Sequence, residues 1–342
     1  MITKQTLHNQ TYDKVIISPR LCYFRPKYTN DSKIASEISY GLSRKKKFIH
    51  PKFLYNQLGS ELFEQICQLS EYYLTRTEMK ILENITPELS QYLVGNYALV
   101  ELGSGSATKT RKILDALSAI QNQLEYYPVD ISDILMDSST SLHNEYGNLK
   151  ITGIIDQYEP ALEFIKQIDY QNKIIAFLGS SIGNFEPNNA LEFLAKIRKC
   201  MRKNDLLLLG LDLVKGKKIL EQAYNDYKGV TAKFNLNLLS RINEELGANF
   251  DLDKFEHYAI FNKKQSRIEM YLHSKEKQEV LLETVDLLVQ FKKDELVNTE
   301  YSYKYTIIQI QTMAKKAGFV PLKIWTDPKN HFALALLSAC MS

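Results

Sequence analysis

The run Val100-Glu101-Leu102-Gly103-Ser104-Gly105-Ser106-Ala107-Thr108-Lys109 decides the fold. Tyr97–Leu102 is apolar but for Glu101 and reads as a buried strand. Gly103 and Gly105 then let the backbone bend sharply and approach a ligand closely. Residues 108–120 carry helical periodicity, with Ile113, Leu114 and Leu117 on one face. Working outward, the same rhythm repeats. Strands are expected at 124–129, Leu149–Ile155, 173–178 and 206–211. Helices are expected at 132–146, opened by Ser132 with Asp133 in its first turn, and at 161–168 and 188–201. Strands this apolar are covered on both faces, as in a parallel sheet. The βαβα order predicts a doubly wound α/β domain.

After Asp212 the rhythm changes. Residues 215–247 read as helical, and 256–304 as several extended segments, for example Arg267-Ile268-Glu269-Met270-Tyr271-Leu272. The α/β pattern returns with a helix at 307–317 and strands at 319–325 and 331–337. The link Thr326-Asp327-Pro328-Lys329-Asn330 suits a hairpin between them. We therefore expect one α/β domain from 78–214 plus 305–342. A second, α+β domain is expected from 1–77 plus 215–304, since the opening residues fit no α/β unit.

Composition narrows the class. The 342 residues are 44% hydrophobic and 24% charged, which excludes disordered, collagen-like and disulfide-scaffold chains. No stretch approaches the ~18 apolar residues of a membrane span. The densest run, 206–214, is broken by Gly210 and Asp212. With 43 basic and 40 acidic side chains, a net +3, a nucleic-acid partner is not implied. The cluster Arg44-Lys45-Lys46-Lys47 reads as solvated surface. Cys22, Cys67, Cys200 and Cys340 form no CxxC or metal-type pair. Residues 1–6 are polar and lack the apolar segment of a secretion signal, so the expectation is a reducing, cytoplasmic setting. Tyrosine is frequent, at 21 residues, and its amphipathic ring suits small polar ligands.

Three readings compete for the glycine turn. A dinucleotide fingerprint wants glycine at the sixth position of G-x-G-x-x-G, which here is Thr108. A plain βα turn without ligand is the second. An acidic residue just before the first glycine, with no third glycine, resembles the first motif of S-adenosylmethionine (SAM)-dependent methyltransferases. Asp130 ends the second strand, where a carboxylate can accept hydrogen bonds from both ribose hydroxyls. Asp156-Gln157-Tyr158 follows the third strand and offers polar groups and a ring for an adenine. The fourth strand runs into Gly179-Ser180-Ser181-Ile182-Gly183-Asn184, at the carboxyl end where ligands of open α/β sheets bind. Asn184 offers a donor and an acceptor on one short side chain, which suits an amine next to a carboxylate.

The run 179–184 resembles the ergothioneine-pathway L-histidine Nα-methyltransferases. So do Pro51-Lys52-Phe53-Leu54-Tyr55-Asn56-Gln57-Leu58-Gly59-Ser60-Glu61-Leu62-Phe63 and Glu71-Tyr72-Tyr73-Leu74-Thr75-Arg76-Thr77-Glu78. The similarity continues through Asp212-Leu213-Val214-Lys215, Gly229-Val230-Thr231-Ala232-Lys233-Phe234-Asn235 and Phe250-Asp251-Leu252-Asp253-Lys254-Phe255-Glu256-His257. It extends to Arg267-Ile268-Glu269-Met270 and Trp325-Thr326-Asp327-Pro328, leaving out about the first 40 residues. The resemblance implies a Rossmann-like SAM-dependent methyltransferase domain with a second, substrate-binding domain. It implies trimethylation of histidine to hercynine, with SAM as donor and no metal.

Residue by residue, the resemblance assigns Tyr72, Gly179 and Asn184 to the substrate's α-amine and carboxylate, with Tyr224 at the carboxylate and Thr231 supporting that end. Glu300 and Ser302 match the pair that reads the imidazole, and Met270 matches a wall of that pocket. Tyr55 matches a tyrosine between substrate and donor. Gly103, Lys109 and Asp130 match donor contacts. The family's Gly-Asp-Phe is replaced by Asp156-Gln157-Tyr158, which shifts the adenine contact within these three. Asn184, Tyr72 and Tyr55 are the expected catalytic set. From the residues alone, Glu300 reads as exposed, though two residues apart in a strand it shares a face with Ser302. Rival readings are methylation of another amino acid or an amine alkaloid, a non-catalytic SAM-binding module, and an NAD oxidoreductase. A small-molecule substrate, a monomer, and neither nucleic acid nor membrane are expected.

Overall fold

A computed structural model describes residues 11–27 and 31–339, so Cys340 and the segment 1–6 lie outside the described residues. In chain order the strands are β1 (Tyr12–Ser18), β2 (Leu21–Pro26), β3 (Tyr97–Leu102), β4 (Leu124–Asp130), β5 (Leu149–Ile155), β6 (Asn172–Phe177) and β7 (Leu206–Asp212). They continue with β8 (Phe255–Asn262), β9 (Arg267–Ser274), β10 (Gln278–Leu282), β11 (Leu287–Phe291), β12 (Leu296–Tyr303), β13 (Phe319–Thr326) and β14 (Phe332–Ala339). The chain divides into two compact units.

The first unit holds described residues 11–27, 74–214 and 305–339. Its sheet has the order β1-β2-β5-β4-β3-β6-β7-β14-β13. From β2 to β7 every neighbour is parallel. The pair β13–β14 closes the far edge antiparallel, as its hairpin link predicts. Strands β3, β6 and β7 are buried at every residue, so their apolar runs are the core of this unit. From β3 the chain steps to β4 and β5 on one side and to β6 and β7 on the other. The loops after β3 and β6 therefore diverge and leave a crevice at the carboxyl ends of these strands.

The hairpin β1–β2 overturns the expectation that the first 77 residues join the insert. β2 pairs with β5, with Tyr23 opposite Gly153. A Cβ on Gly153 would lie 2.6 Å from the Tyr23 ring and 2.7 Å from Leu135. The missing side chain makes a slot in which the buried Tyr23 ring lies, its hydroxyl donating to the Met136 carbonyl at 3.1 Å. Phe24 meets Phe164 edge-on at 4.8 Å. A six-residue strand without a regular burial pattern carries too weak a signal to be placed by sequence alone.

The second unit holds described residues 31–73 and 215–304. Strands β12, β9 and β8 form an antiparallel sheet in that order, and β10–β11 form a separate ladder. The helix Val230–Leu246 packs on the helix Gln57–Gln68 and on β8. The expected helical stretch 215–247 is broken in two, Lys217–Tyr224 and Val230–Leu246. Gly229, at φ +68°, turns the chain, and the Asp226 carboxylate accepts the Val230 and Thr231 N–H groups at 2.9 and 2.8 Å. That carboxylate satisfies donors a helix start leaves over. Arg44, Lys45 and Lys46 are exposed as expected, whereas Lys47 pairs with Glu295 at 2.6 Å. Among the described residues no helix is long and apolar enough to cross a membrane.

Gly153→Ala should cost about 1–3 kcal/mol, the usual range for overpacking, because both ring and leucine must move. Urea unfolding monitored by fluorescence reads this as a lower midpoint; an unchanged midpoint would mean that the slot has slack.

Candidate active site

In the first unit, β3 ends at Leu102 and the chain turns through Gly103 at φ +74° and Gly105 at φ +48°. A Cβ on Gly103 would lie 2.8 Å from the Tyr158 hydroxyl, so the glycine also leaves room for that ring. Gly103 and Ser104 donate to the Val129 carbonyl at 2.8 and 3.3 Å. Gly105 N–H donates to Asp130 Oδ2, and Ser132 N–H to Oδ1, each at 3.0 Å. The turn is thus tied to the end of β4 through both oxygens of Asp130. The turn continues through Ala107 at φ +55°, so the helix starts at Thr110, two residues later than its periodicity suggests.

Two buried carboxylates flank this turn and differ in role. Glu101 accepts the Thr110 and Tyr126 hydroxyls at 2.5 and 2.6 Å. Burial pushes its carboxyl up to about 7, against the pull of those two donors. It faces the interior and holds strand to helix. Glu78, wholly buried on the helix Tyr73–Leu89, pairs with Lys109 at 2.7 Å. The same carboxylate accepts the Gly179 N–H, with both oxygens at 2.9 Å. A Cβ on Gly210 of β7 would collide with Glu78 Oε1, so that glycine makes room for the carboxylate. One side chain thereby joins the loop after β3 to the loop after β6.

The loop after β6 bends through Gly179 at φ +72° and Ser180 at φ +60°. Ser180 Oγ accepts the Asp212 N–H at 2.9 Å, which fixes the turn onto β7. The short helix Ser181–Asn184 then presents a half-buried Asn184 whose amide has no protein partner among the described residues. After β5, Asp156 accepts the Tyr12 hydroxyl at 2.6 Å and the Gln157 N–H at 2.7 Å. Gln157 is exposed, and the Tyr158 ring packs against Phe177 and Phe193 at 5.4 and 5.6 Å.

The second unit gathers the remaining residues. Asn56 caps the helix Gln57–Gln68, taking the Gly59 N–H at 2.8 Å, and this sets Tyr55 just before it. Aromatic rings then run Tyr55, Phe63, Tyr72, Tyr224, with successive centroids 5.6, 6.2 and 6.1 Å apart. Burial pushes the Tyr72 phenol far up, so it stays neutral. Glu300 is only 7% exposed, which corrects the exposed reading from the residues alone. It stands opposite the buried Met270 of β9. The ladder bulges between Asn298 and Glu300, and the Asn298 amide fills the gap by donating to the Met270 and Glu300 carbonyls at 3.0 and 3.3 Å. Bulges re-aim side chains next to functional sites. Burial pushes the Glu300 carboxyl up to about 7, and Lys304 pulls it down. Ser302 lies on the same face, its Oγ 2.9 Å from the Tyr224 hydroxyl. Thr231 is buried in the first turn of its helix.

Three side chains carry more than the sequence reading gave them. Glu78 was one letter in a similar run. Lys304 extends the period-two set Glu300, Ser302, and that spacing could have found it. His257 is the third. Its Nε2–H donates to the Tyr224 carbonyl at 2.8 Å while Nδ1 accepts from the Asn235 amide at 3.0 Å. Burial holds its pKa low, so it is a neutral clamp on Tyr224. Among the described residues no group of three or more His, Cys, Asp or Glu side chains comes together to hold a metal.

The sequence signature described as histidine-specific, SAM-dependent methyltransferase matches residues 34–339. A histidine N-alpha-methyltransferase of Mycolicibacterium smegmatis is 38% identical over 301 residues, 88% of this chain and 93% of that one. Ergothioneine biosynthesis protein 1 of Neurospora crassa is 30% identical over 293 residues, which cover 83% of this chain and 32% of that protein. An L-tryptophan methyltransferase of Psilocybe serbica is 26% identical over 312 residues, 84% of this chain and 87% of the other.

Glu78→Gln should loosen both loops of the first unit. Titration calorimetry with S-adenosylhomocysteine is expected to show at least tenfold weaker binding, about 1.4 kcal/mol. Unchanged affinity would reduce Glu78 to a packing role.

Proposed function

The chain belongs to the histidine-specific, SAM-dependent methyltransferases, and from that membership we propose that it methylates the α-amino nitrogen of L-histidine three times, giving hercynine on the route to ergothioneine. The observation that carries the substrate is the pair Glu300 and Ser302, buried on one strand face beside Met270. A carboxylate and a hydroxyl there match the two ring nitrogens of an imidazole, one a donor and one an acceptor.

SAM is the methyl donor, and the first unit's residues fit it. The Gly103 turn brings bare backbone to the strand end, and the Asp130 carboxylate, which takes the Gly105 N–H, ends β4 where a ribose would lie. In this reading Lys109, Asp156, Gln157 and Tyr158 complete the donor side. When bound, SAM supplies a sulfonium-activated methyl group. The chain's own residues do the rest by positioning. The acceptor must be a neutral amine, and an α-amine of pKa ~8 is mostly protonated near pH 7. Loss of that proton to water costs little, so no strong base is required of the protein. Asn184 and Tyr72 take the amine and carboxylate and fix the lone-pair direction, with Gly179, Tyr224 and Thr231 at the same end. Holding the nitrogen in line is worth much of the rate. Tyr55, Tyr72 and Tyr224 offer ring faces to the cation that grows with each methylation. The same reading makes the protein a cytoplasmic monomer with a small-molecule substrate and no nucleic-acid or membrane partner.

The test is incubation with SAM and an equimolar mixture of the twenty amino acids, read by mass. Histidine gaining three methyl groups is expected; methylation of a different amino acid would remove the imidazole role of Glu300 and Ser302. Asn184→Ala should cut turnover by about 100-fold, in the range of a lost positioning contact. Glu300→Ala should cost about 1–3 kcal/mol of histidine selectivity, since the ring N–H is left without its acceptor. Competition against tryptophan measures this, and an undiminished preference would dismiss Glu300 as the reader.

A further inference from the structure

Lys304 is 1% exposed and lies just past the end of β12, its N–H continuing the ladder to the Ser266 carbonyl at 2.8 Å. Its ammonium donates to Ser302 Oγ at 2.8 Å and to the Tyr224 hydroxyl at 3.0 Å. These two hydroxyls are themselves 2.9 Å apart, so the three groups form a closed triangle. A lysine has donors and no acceptor. Both hydroxyl oxygens therefore accept from it, and neither hydroxyl hydrogen can point at Nζ. Their mutual contact takes one of these hydrogens, and the other is turned away from the lysine. A methionine would fill this seat without the cost of burying an ammonium. The charge is kept beside the one strand face that carries Glu300 and Ser302.

We infer that Lys304 is a specificity-determining positioning residue, which fixes the orientation of the Ser302 and Tyr224 hydroxyls beside Glu300 and so sets the hydrogen-bond pattern that a bound histidine meets. The inference rests on the assignment of Glu300 and Ser302 to the imidazole. The ammonium also acts on Glu300, whose carboxyl it pulls down against burial. Lys304 lies four residues further along the chain, just past the end of β12, the neutral Met270 stands opposite on β9, and the Tyr72 phenol stays neutral because burial pushes it far up. The Tyr224 hydroxyl is held by Lys304 itself, and His257 behind Tyr224 is kept neutral by burial. Without the ammonium, burial alone acts on Glu300 and moves its titration upward. More of it is then protonated between pH 7 and 8, and a protonated carboxyl is a poorer acceptor for the ring N–H.

The experiment is steady-state methylation of histidine and tryptophan from pH 6 to 9 by wild type, Lys304→Met, Lys304→Arg and Ser302→Ala. The substrate's imidazole and α-amine titrate at about 6.5 and 8 whatever the enzyme, so only a shift of the rising limb of kcat/KM between variants reports on the protein. Lys304→Met is expected to raise KM for histidine roughly tenfold, the effect of mis-set hydrogen bonds, with a smaller change in kcat. It should also move the limb up by about one pH unit, as loss of a neighbouring opposite charge does. Ser302→Ala should raise KM and leave the limb in place. If Lys304→Met does not fold, as judged by thermal unfolding, Lys304→Arg carries the test. It keeps the charge but displaces the donors, so an unmoved limb with a raised KM is expected, and an unaltered KM overturns the inference. A wild type that methylates histidine beside a folded Lys304→Met with the same KM, preference and limb overturns it as well. A wild type that leaves histidine unmethylated overturns the functional reading itself, and this inference with it.

Discussion

The carboxylate of Glu78 is the constraint on which the setting of the first unit's strand-end loops depends. A wholly buried anion is tolerable only when its partners are in place. Here they are the Lys109 ammonium and the Gly179 N–H, and they come from two different strand-end loops. Gly210 supplies the space. Moving either loop would strand the charge, so the glycine turn after β3 and the loop after β6 are held at one mutual setting. Glu101 makes the contrast. It is equally deep, but its partners are hydroxyls rather than an ammonium, and its carboxyl rises to about 7. The two carboxylates thus differ in their direct partners, an ammonium and a backbone N–H for one and two hydroxyls for the other.

The second unit solves a different problem, that of presenting polar groups from a dry sheet. A regular ladder would keep Glu300 in step with its neighbours. The bulge after Asn298 breaks that step, and the Asn298 amide satisfies the carbonyls the bulge leaves over. Behind this, a string of rings from Tyr55 to Tyr224 makes a wall that is apolar on its faces and polar at its tips. The high tyrosine count of the chain finds part of its reason here.

Much of the fold was legible because parallel strands are buried on both faces and announce themselves as apolar runs. The glycine turn, the strands from β3 to β7 and the closing β13–β14 hairpin all follow from that signal. The β1–β2 hairpin did not, because two short strands have little periodicity to read and the placement of β2 depends on a slot made by Gly153, far along the chain. The break at Gly229 was hidden by continuous helical propensity on both sides. At the site, resemblance supplied what pattern could not. Glu300 looked exposed because a bulge, which sequence does not reveal, alters its environment. Glu78 was illegible for a related reason: a charged residue on an amphipathic helix is ordinarily solvated, and only the sheet's glycines show that this one is not.

The insert's entry and exit have a consequence of their own. Leu213 and Tyr305 form a parallel bridge, Val214 N–H donates to the Tyr305 carbonyl at 3.0 Å, and Tyr305 N–H donates to the Asp212 carbonyl at 2.9 Å. Everything between 215 and 304 thus leaves and returns at one sewn point of the sheet. To the sheet, that segment is a single loop. Lengthening a closed loop from ~10 to ~90 residues costs only about 2 kcal/mol of chain entropy. Drift in the segment that carries Glu300, Ser302 and Lys304 therefore need not disturb the register of β7 or β14. Residues 215–304 can be lengthened or recut without rewriting the sheet that they leave and rejoin.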